Sequence, residues 1–396
     1  MTAPSIAPEA DDRVVAKGRM GLLFARPEVG ALIGALAVMA LFLAVAPSFR
    51  SLGNTGTILY EASAIGIMAV GVSLLMVGGE FDLSTGVAAT ASGICAALTA
   101  WNFGLNVWLG VIAALVFSLA VGAFNGWLLM RTGLPSFLVS LGTFFVLQGA
   151  NLAVTRLVGG TVSTPTISDM DGFASAQAVF AWSVNIGPVN IKALVVYWLI
   201  MVVVAALVLQ RSRIGNWIFA VGGDAAAARA VGVPVKAVKI GLFMTVGFCA
   251  WMLGMHLLFN YQVMQSGEGV GNEFIYIIAA VVGGCLLTGG YGSVIGAALG
   301  ALIFGMTRMG INYAGWNVDW FFTFLGVMLL LATLVNLSFV GGDRLDEGAA
   351  RALGHSGRTH AIPEGIRRFA TWAPLLIPFY IPRGQEWDQV WGEAER

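Results

Sequence analysis

Apolar runs long enough to cross a lipid bilayer recur along most of this chain. A helix rises about 1.5 Å per residue, so roughly 20 apolar residues span a hydrocarbon core about 30 Å thick. This rule predicts ten spans, near 29–47, 57–78, 83–101, 106–129, 136–156, 191–210, 238–259, 273–290, 291–312 and 318–337. The sequence therefore predicts an all-α membrane protein, a polytopic bundle of about ten transmembrane helices.

The composition excludes several classes of protein. The chain is 58% hydrophobic and 11% charged, whereas soluble domains carry about 25% charged residues. Its formal net charge of zero lacks the basic excess that nucleic-acid binding needs. No Gly-Lys pair occurs, so the phosphate-binding P-loop is absent, and the three histidines form neither a catalytic nor a metal-binding pattern. We expect no catalytic residues, no metal and no cofactor in this chain.

Glycines interrupt the apolar pattern at two places, residues 78–79 and 289–292. Such interruptions are typical of broken or re-entrant membrane helices. Glu80 and Asp82 lie beside the first one, and unwound turns offer free backbone amides that a carboxylate accepts from. We therefore predict a structural break motif that organises the local backbone, comprising Gly78, Gly79, Glu80, Asp82 and Ser84.

Lysines and arginines indicate the orientation of the spans. With the N-terminus inside, only Arg50, Arg156, Lys192 and Arg308 face outward, so the positive-inside rule selects that orientation. An even number of spans then places both termini in the cytoplasm. The predicted divisions are a cytoplasmic N-terminal tail at 1–28, a transmembrane domain at 29–337 and a cytoplasmic C-terminal tail at 338–396.

Two regions outside the spans are predicted to lack regular structure. The longest external loop, about 157–190, is rich in glycine, serine and threonine and predicts an irregular segment. The tail at 338–396 combines mixed charges with prolines, which predicts a largely disordered segment with one interfacial apolar patch.

A basic stretch at 211–239 lies between two long apolar runs. Within it, alanines from 225 to 230 favour a short helix, and Asp224 is suited to its N-terminal end. Flanking glycines at 222–223 and 232 allow sharp turns on either side. By itself the segment fits either a partner-docking helix or an ordinary solvated connector.

Four segments in order along the chain resemble elements of one transporter family. Residues 78–86 read Gly-Gly-Glu-Phe-Asp-Leu-Ser-Thr-Gly, and 133–143 read Gly-Leu-Pro-Ser-Phe-Leu-Val-Ser-Leu-Gly-Thr. The others are the basic segment at 213–232 and the glycine-rich region at 279–293. Together they resemble the permeases of the simple-sugar (ribose/xylose/arabinose-type) ABC import family, over roughly residues 50–337.

The resemblance implies a permease subunit in a bacterial inner membrane, surrounded by lipid and without a role in nucleic-acid binding. It implies cytoplasmic ABC ATPase subunits that bind the ATP, a periplasmic sugar-binding protein, and a second copy or a similar permease. The segment at 213–232 would be the loop that couples the permease to the ATPase, through Arg213, Gly222, Gly223, Asp224, Ala227, Ala228, Arg229 and Gly232. Ile275 stands where many relatives carry an acid, so the identity of the sugar stays open. The tail after residue 337 is longer than usual in the family and is a feature private to this chain.

A sugar path needs modest hydrogen-bonding groups that release the solute again. Candidates within the spans are Asn125, Ser140, Thr143, Gln148 and Asn151. Interhelical hydrogen bonding is the alternative role for each of them.

Three other functions stay open at the level of sequence. A permease of the same family could carry a nucleoside or another non-sugar solute. An ion-coupled secondary transporter would need ionisable groups near the midplane, where this sequence places none securely. The third alternative is a membrane scaffold or sensor without transport.

Overall fold

The computed structural model describes residues 27–333. Its first helices are α1 Pro27–Val45, a 3₁₀ helix Pro47–Arg50, α2 Leu52–Val77, α3 Thr85–Asn102, α4 Val107–Thr132, α5 Ser136–Gly159 and α6 Phe173–Phe180. Strands β1 Ser183–Ile186 and β2 Val189–Lys192 come next, then α7 Ala193–Arg211, α8 Arg213–Gly223, α9 Ala225–Ala230, α10 Val235–Tyr261, α11 Asn272–Val282 and α12 Val294–Tyr313. The last described helix is α13 Trp320–Thr333. Apart from residues 27 and 28, both predicted tails lie outside the described residues.

Each of the ten predicted spans contains one helix, but the helices differ in length. Within residues 27–333, seven are long and apolar enough to cross a membrane: α1, α2, α4, α5, α7, α10 and α12. Of the other three, α3 has 18 residues rich in alanine, glycine, serine and threonine. Helix α11 has 11 residues, because Gly283 and Gly284 end it early. The protein is therefore a polytopic helical membrane protein with seven helices that meet both criteria.

Helix α2 forms the centre of the bundle. It packs against α7, α10, α11 and α12, and most of its residues are buried on every side of the helix. Small residues allow these close approaches: an added Cβ at Gly66 would overlap the Trp198 indole, and one at Gly71 would lie 2.8 Å from the Cys249 sulfur. Burial on every side is typical of a helix in the core of a membrane bundle.

One end of the bundle carries a β-hairpin and is called the hairpin end. Strands β1 and β2 pair antiparallel from Ser183↔Lys192 to Ile186↔Val189, around a turn in which Gly187 has a φ of +61°. Nearby, Thr164 N–H donates to the Met264 carbonyl (2.9 Å) and so ties the α5–α6 loop to the α10–α11 loop. The prediction of an irregular loop at 157–190 was wrong here, and the hairpin is a departure from an all-α fold. Both strands alternate polar and apolar residues on either side of Gly187, which is a hairpin signal that the prediction from loop composition overlooked.

The opposite end carries the basic stretch 211–239 and is called the basic end. Helix α7 joins the two ends, since it starts directly after β2 and finishes at Arg211. Val77, where α2 ends, and Val235, where α10 begins, also lie at the basic end.

Candidate functional site

Helix α8 begins the segment at the basic end that the sequence singles out. Ser212 caps it, because its hydroxyl oxygen accepts from the Gly215 amide at 3.1 Å. Ile218 and Val221 lie on its buried face, and burying such a side chain contributes about 1.5–3 kcal/mol. Arg213, at its first position, is exposed. Helix α8 is therefore anchored on one face and open on the other.

The short helix expected between Asp224 and Val231 is present as α9. The Asp224 carboxylate accepts from the amides of Ala226 (2.8 Å) and Ala227 (3.0 Å), as an N-cap residue does. The bonds from the Ala227 and Ala226 amides hold the pKa of Asp224 below its ordinary value. At the other end Gly232 takes a φ of +88°, a conformation that glycine adopts without strain.

Alanine-rich α9 presents a flat surface. Ala228 is 3% exposed and packs inward, whereas Ala227 and Arg229 are exposed. Val231 directly after the helix is 80% exposed. Among the described residues, neither Arg213 nor Arg229 forms an ion pair. The segment therefore offers an exposed patch of small side chains edged by unpaired cations.

The break motif begins as a Schellman motif at the end of α2. Gly79 has a φ of +82°, its amide donates to the Met76 carbonyl (2.9 Å), and the Glu80 amide donates to the Leu75 carbonyl (3.1 Å). Asp82 Oδ1 then accepts from the Ser84 amide (2.8 Å) and the Ser84 hydroxyl (2.6 Å). Asp82 thus binds backbone in the way that the sequence predicts for both carboxylates.

Glu80 has a different partner. Its Oε1 forms an ion pair with Lys239 Nζ of α10, and both side chains are largely buried. The sequence pattern assigns Lys239 only to the basic loop and does not reveal this pair. A lysine one turn inside an apolar span is the signal that could have found it, since a cation at that depth requires a partner.

Two of the candidate path residues join the break motif in one hydrogen-bond network. Asn125 Nδ2 of α4 donates to the Ser84 hydroxyl oxygen (3.3 Å), and the Thr143 hydroxyl of α5 donates to Asn125 Oδ1 (2.6 Å). Asn125 is fully buried. The network ties α3, α4 and α5 together beside the break.

The other three candidates lie apart from that network. Asn151 Nδ2 donates to the Val87 carbonyl of α3 (3.2 Å). Ser140 donates to the Ser136 carbonyl of its own helix (2.8 Å). Gln148 is half-buried and forms no hydrogen bond with other residues of 27–333. The five candidates therefore do not form a single hydrogen-bond network.

Glycines from three segments that are distant in sequence meet at the basic end. The Gly290 amide donates to the Val77 carbonyl (2.9 Å), and an added Cβ at Gly222 would overlap that same carbonyl oxygen. A Cβ at Gly289 would lie 2.5 Å from Gly79 Cα and 2.8 Å from the Gly222 oxygen. We call this contact of Val77, Gly79, Gly222, Gly289 and Gly290 the glycine joint. Through the glycine joint, the C-terminal end of α8 contacts the break motif directly.

Three ionisable groups near the hairpin end are paired or hydrogen-bonded. Arg308 lies 3.2 Å from Glu61 Oε2. His256 bonds through Nδ1 to the Phe180 carbonyl (2.7 Å) and through Nε2 to the Tyr60 hydroxyl (3.3 Å). Within the described part of the chain, no three His, Cys, Asp or Glu side chains are grouped to hold a metal ion.

The fold and this site define a class of protein: a multi-pass helical membrane protein that presents a capped, exposed helix beside a broken transmembrane helix. Comparison with known proteins identifies the family. Residues 54–333 match the family described as branched-chain amino acid transport system / permease component. The chain belongs to this family, so it is a transport permease component and not an enzyme.

Curated relatives cover most of the chain. The ribose import permease protein of Escherichia coli strain K12 is 30% identical over 309 residues, 78% of this chain and 93% of that protein. An inner membrane ABC transporter permease protein of the same strain is 30% identical over 291 residues, 74% of this chain and 85% of that protein. The fructose import permease protein of Rhizobium meliloti is 26% identical over 329 residues, 83% of this chain and 90% of that protein. No solved structure matches the chain.

Proposed function

We propose that this chain is the transmembrane subunit of an ATP-binding-cassette importer that carries a monosaccharide or a related small polyol across the bacterial inner membrane. The observation that carries the proposal is α9, a capped helix with an exposed alanine face at the basic end. Relatives named as ribose and fructose import permeases support the class of solute.

Helix α9 suits an ATPase partner for physical reasons. Exposed alanines let a partner groove approach the backbone closely. The cations Arg213 and Arg229, which form no ion pair within residues 27–333, offer attraction to an acidic rim. The chain has no P-loop of its own, so ATP is bound by the partner. The further partners in this proposal are a periplasmic solute-binding protein, a second copy of the chain or a similar permease, and membrane lipids.

The arrangement in the membrane follows from charge and length. We propose about ten spans in the domain 29–337, with α3, α11 and α13 as short or broken members of the set. The exposed cations near α9 favour a cytoplasmic basic end. Both termini are then cytoplasmic, with the segments 1–28 and 338–396 as tails.

The mechanism is a two-state switch. ATP-driven closure of the ATPase pair moves α9, and α9 is joined to α8 at Asp224 and to α10 through Pro234. Motion of α8 and α10 shifts the bundle between outward-open and inward-open states, and each ligand stabilises the state that it binds better. The binding protein delivers solute at the hairpin end, and no covalent chemistry takes place in this chain.

Along the path, the solute needs polar groups that bind weakly enough to release it. Gln148, half-buried and without a hydrogen bond inside 27–333, is free to meet a hydroxyl. Asn125, Thr143 and Asn151 hold helices together through their bonds, and Ser140 bonds within α5. Those four serve the path by positioning α3, α4 and α5.

The experiment combines the chain with the ATPase and the binding protein encoded beside it in proteoliposomes. Labelled ribose and fructose should accumulate only with ATP and with both partners present. An ionophore that collapses ion gradients should leave uptake intact. Uptake that survives without the ATPase and stops with the ionophore would instead establish an ion-coupled transporter. Absence of uptake for every candidate solute, nucleosides and leucine included, would favour a scaffold or sensor.

A second candidate solute is a branched-chain amino acid, because the family description names that class. Titrating the partner binding protein with ribose, fructose, nucleosides and leucine separates the candidates. We expect a monosaccharide to bind most tightly. If the binding protein preferred leucine or a nucleoside, the proposed solute would be wrong. The proposal that an ATPase drives the transport would be unaffected.

A further inference from the structure

We propose that the break at 78–84 is the element of the membrane bundle that receives the motion of α8 and α9, and that the glycine joint transmits it. This inference rests on the proposed function, because it names the positioning residues through which the ATPase would act on the spans. Gly222 is the central residue, since it contacts both the end of α2 and the loop before α12.

The first link is backbone against backbone. An added Cβ at Gly222 would overlap the Val77 carbonyl oxygen and lie 2.7 Å from the Gly290 nitrogen. From the opposite side, a Cβ at Gly79 would lie 3.3 Å from Gly222 Cα. Contacts without intervening side chains have no rotamers to absorb a displacement, so a shift of α8 reaches the break directly.

The second link is the ion pair between Lys239 and Glu80. Lys239 lies in the first turns of α10, directly after the connection that leaves α9. Because both side chains are largely buried, separating them would expose two charges to an apolar environment at high cost. Helix α8 precedes α9 in the chain and helix α10 follows it. Both neighbours of α9 therefore contact the same break.

The break continues into the bundle through two further contacts. The Phe81 amide donates to the Ser136 hydroxyl oxygen at the start of α5 (3.0 Å). Asp82 holds Ser84, and Ser84 bonds Asn125 of α4. A displacement of the break thus acts on α3, α4 and α5, and the last two of these helices carry the candidate path residues.

The variant test uses two adjacent glycines of the same helix. Gly222→Ala creates the overlap described above, whereas an added Cβ at Gly223 meets nothing within 4 Å. Both positions are helical, so the gain in helix propensity is matched. In proteoliposomes with the partners, we expect Gly222→Ala to lower uptake per ATP hydrolysed by about tenfold, a typical size for lost coupling between sites. Gly223→Ala should match the unmodified chain.

Further readouts separate transmission from simple misfolding. The Gly222→Ala complex should still co-purify with the ATPase and hydrolyse ATP, while the loaded binding protein no longer stimulates that hydrolysis. Equal uptake per ATP for Gly222→Ala and Gly223→Ala would overturn the inference. Failure of the proposed function is distinguishable, because the unmodified chain would then show no ATP-dependent uptake at all.

Hydrogen exchange tests transmission through the glycine joint in the unmodified complex. Hydrogen exchange should show that nucleotide binding to the ATPase changes protection of the Gly290 amide, which donates to Val77 across the glycine joint. The Ser266 amide, bonded to the Val162 carbonyl at the hairpin end, is the internal reference. Exchange at Gly290 that stays constant through the nucleotide cycle would contradict transmission through the joint, even if Gly222→Ala failed to assemble.

Discussion

The two breaks in the bundle, at 78–84 and 283–293, begin with the same backbone arrangement. Gly79 and Gly284 have φ values of +82° and +89°. The Glu80 amide bonds the Leu75 carbonyl, five residues back, and the Cys285 amide bonds the Ala280 carbonyl in the same way. Two helices that end in Val-Gly-Gly thus stop by one mechanism, the Schellman motif.

Beyond these helix ends, the two breaks are held in different ways. The first break is held by side chains: Glu80 pairs with Lys239, and Asp82 binds Ser84. The second passes through glycines that contact other backbone, at Gly289 and Gly290. One kind of helix stop therefore serves two purposes. Polar side chains fix the first break to its neighbours, while glycines let the second one approach the first.

The largest expected effect tests the charge at the first break. Lys239→Met leaves the buried Glu80 carboxylate unpaired and should destabilise the protein by about 3–5 kcal/mol. Unfolding in detergent measures the loss. The double variant Glu80→Gln/Lys239→Met removes both charges and should recover most of the stability. If the single and double variants unfolded alike, the ion pair would have no part in holding this break.

A smaller effect is expected at Asp82. Asp82→Ala leaves the buried Ser84 amide and hydroxyl without their acceptor, which costs about 1–3 kcal/mol. Asp82→Asn keeps an oxygen at that position and should lose less. Stability in detergent and uptake of several sugars measure the result, and transport should fall by a similar factor for every solute. An altered sugar preference at full expression would instead place Asp82 in the solute site.

At the second break, a side-chain change should matter less. The Ser293 hydroxyl oxygen accepts from the Gly296 amide at 3.4 Å and caps α12. Ser293→Ala should cost about 0.5–1 kcal/mol, the lower part of the range for an N-cap. Because Ser293 is buried, Ser293→Thr is the matched variant that keeps a neutral hydroxyl acceptor. Detergent unfolding again gives the comparison. A loss as large as that of Lys239→Met would erase the distinction between the two breaks.

The smallest effect concerns a cap that is exposed. The Ala227 and Ala226 amides lower the pKa of Asp224, so its contribution is present above the unfolded pKa of about 4 and is lost as pH falls through the lower folded value. Hydrogen exchange of those two amides, corrected for intrinsic rates, should accelerate only below about pH 4. Asp224→Asn, which still caps, should remove the pH dependence. The same acceleration in the Asn variant would show that another group is responsible.

Local signals in the sequence predicted much of the fold. Apolar runs placed a helix in every predicted span, since each run carries its own length and hydrophobicity. Gly78 and Gly79 placed the first break, and Asp224 with its alanines placed α9. These features depend on neighbours in sequence, so a single chain reveals them. The second break begins at Gly283 and Gly284, before the predicted interruption at 289–292.

Contacts between distant segments could not be predicted in the same way. Glu80 and Lys239 are 159 residues apart. Taken alone, each has the sequence context of a charged side chain in a solvated loop. The sequence suggests that Gly222 only allows a turn before α9. In the structure, however, a side chain at this position would overlap the Val77 carbonyl oxygen. The bond from Asn125 to Ser84 likewise depends on how α3 and α4 pack.

Co-purification of the ATPase with α9 variants tests the central claim most directly. Ala227→Trp adds bulk to the exposed face of α9, and Ala178→Trp adds the same bulk to an exposed position of α6 near the hairpin end. Membrane insertion depends on the apolar spans and should be normal for both. The account predicts that Ala227→Trp loses the ATPase while Ala178→Trp retains it. Retention of the ATPase by Ala227→Trp, with uptake at the unmodified rate, would contradict the assignment of α9 as the coupling helix.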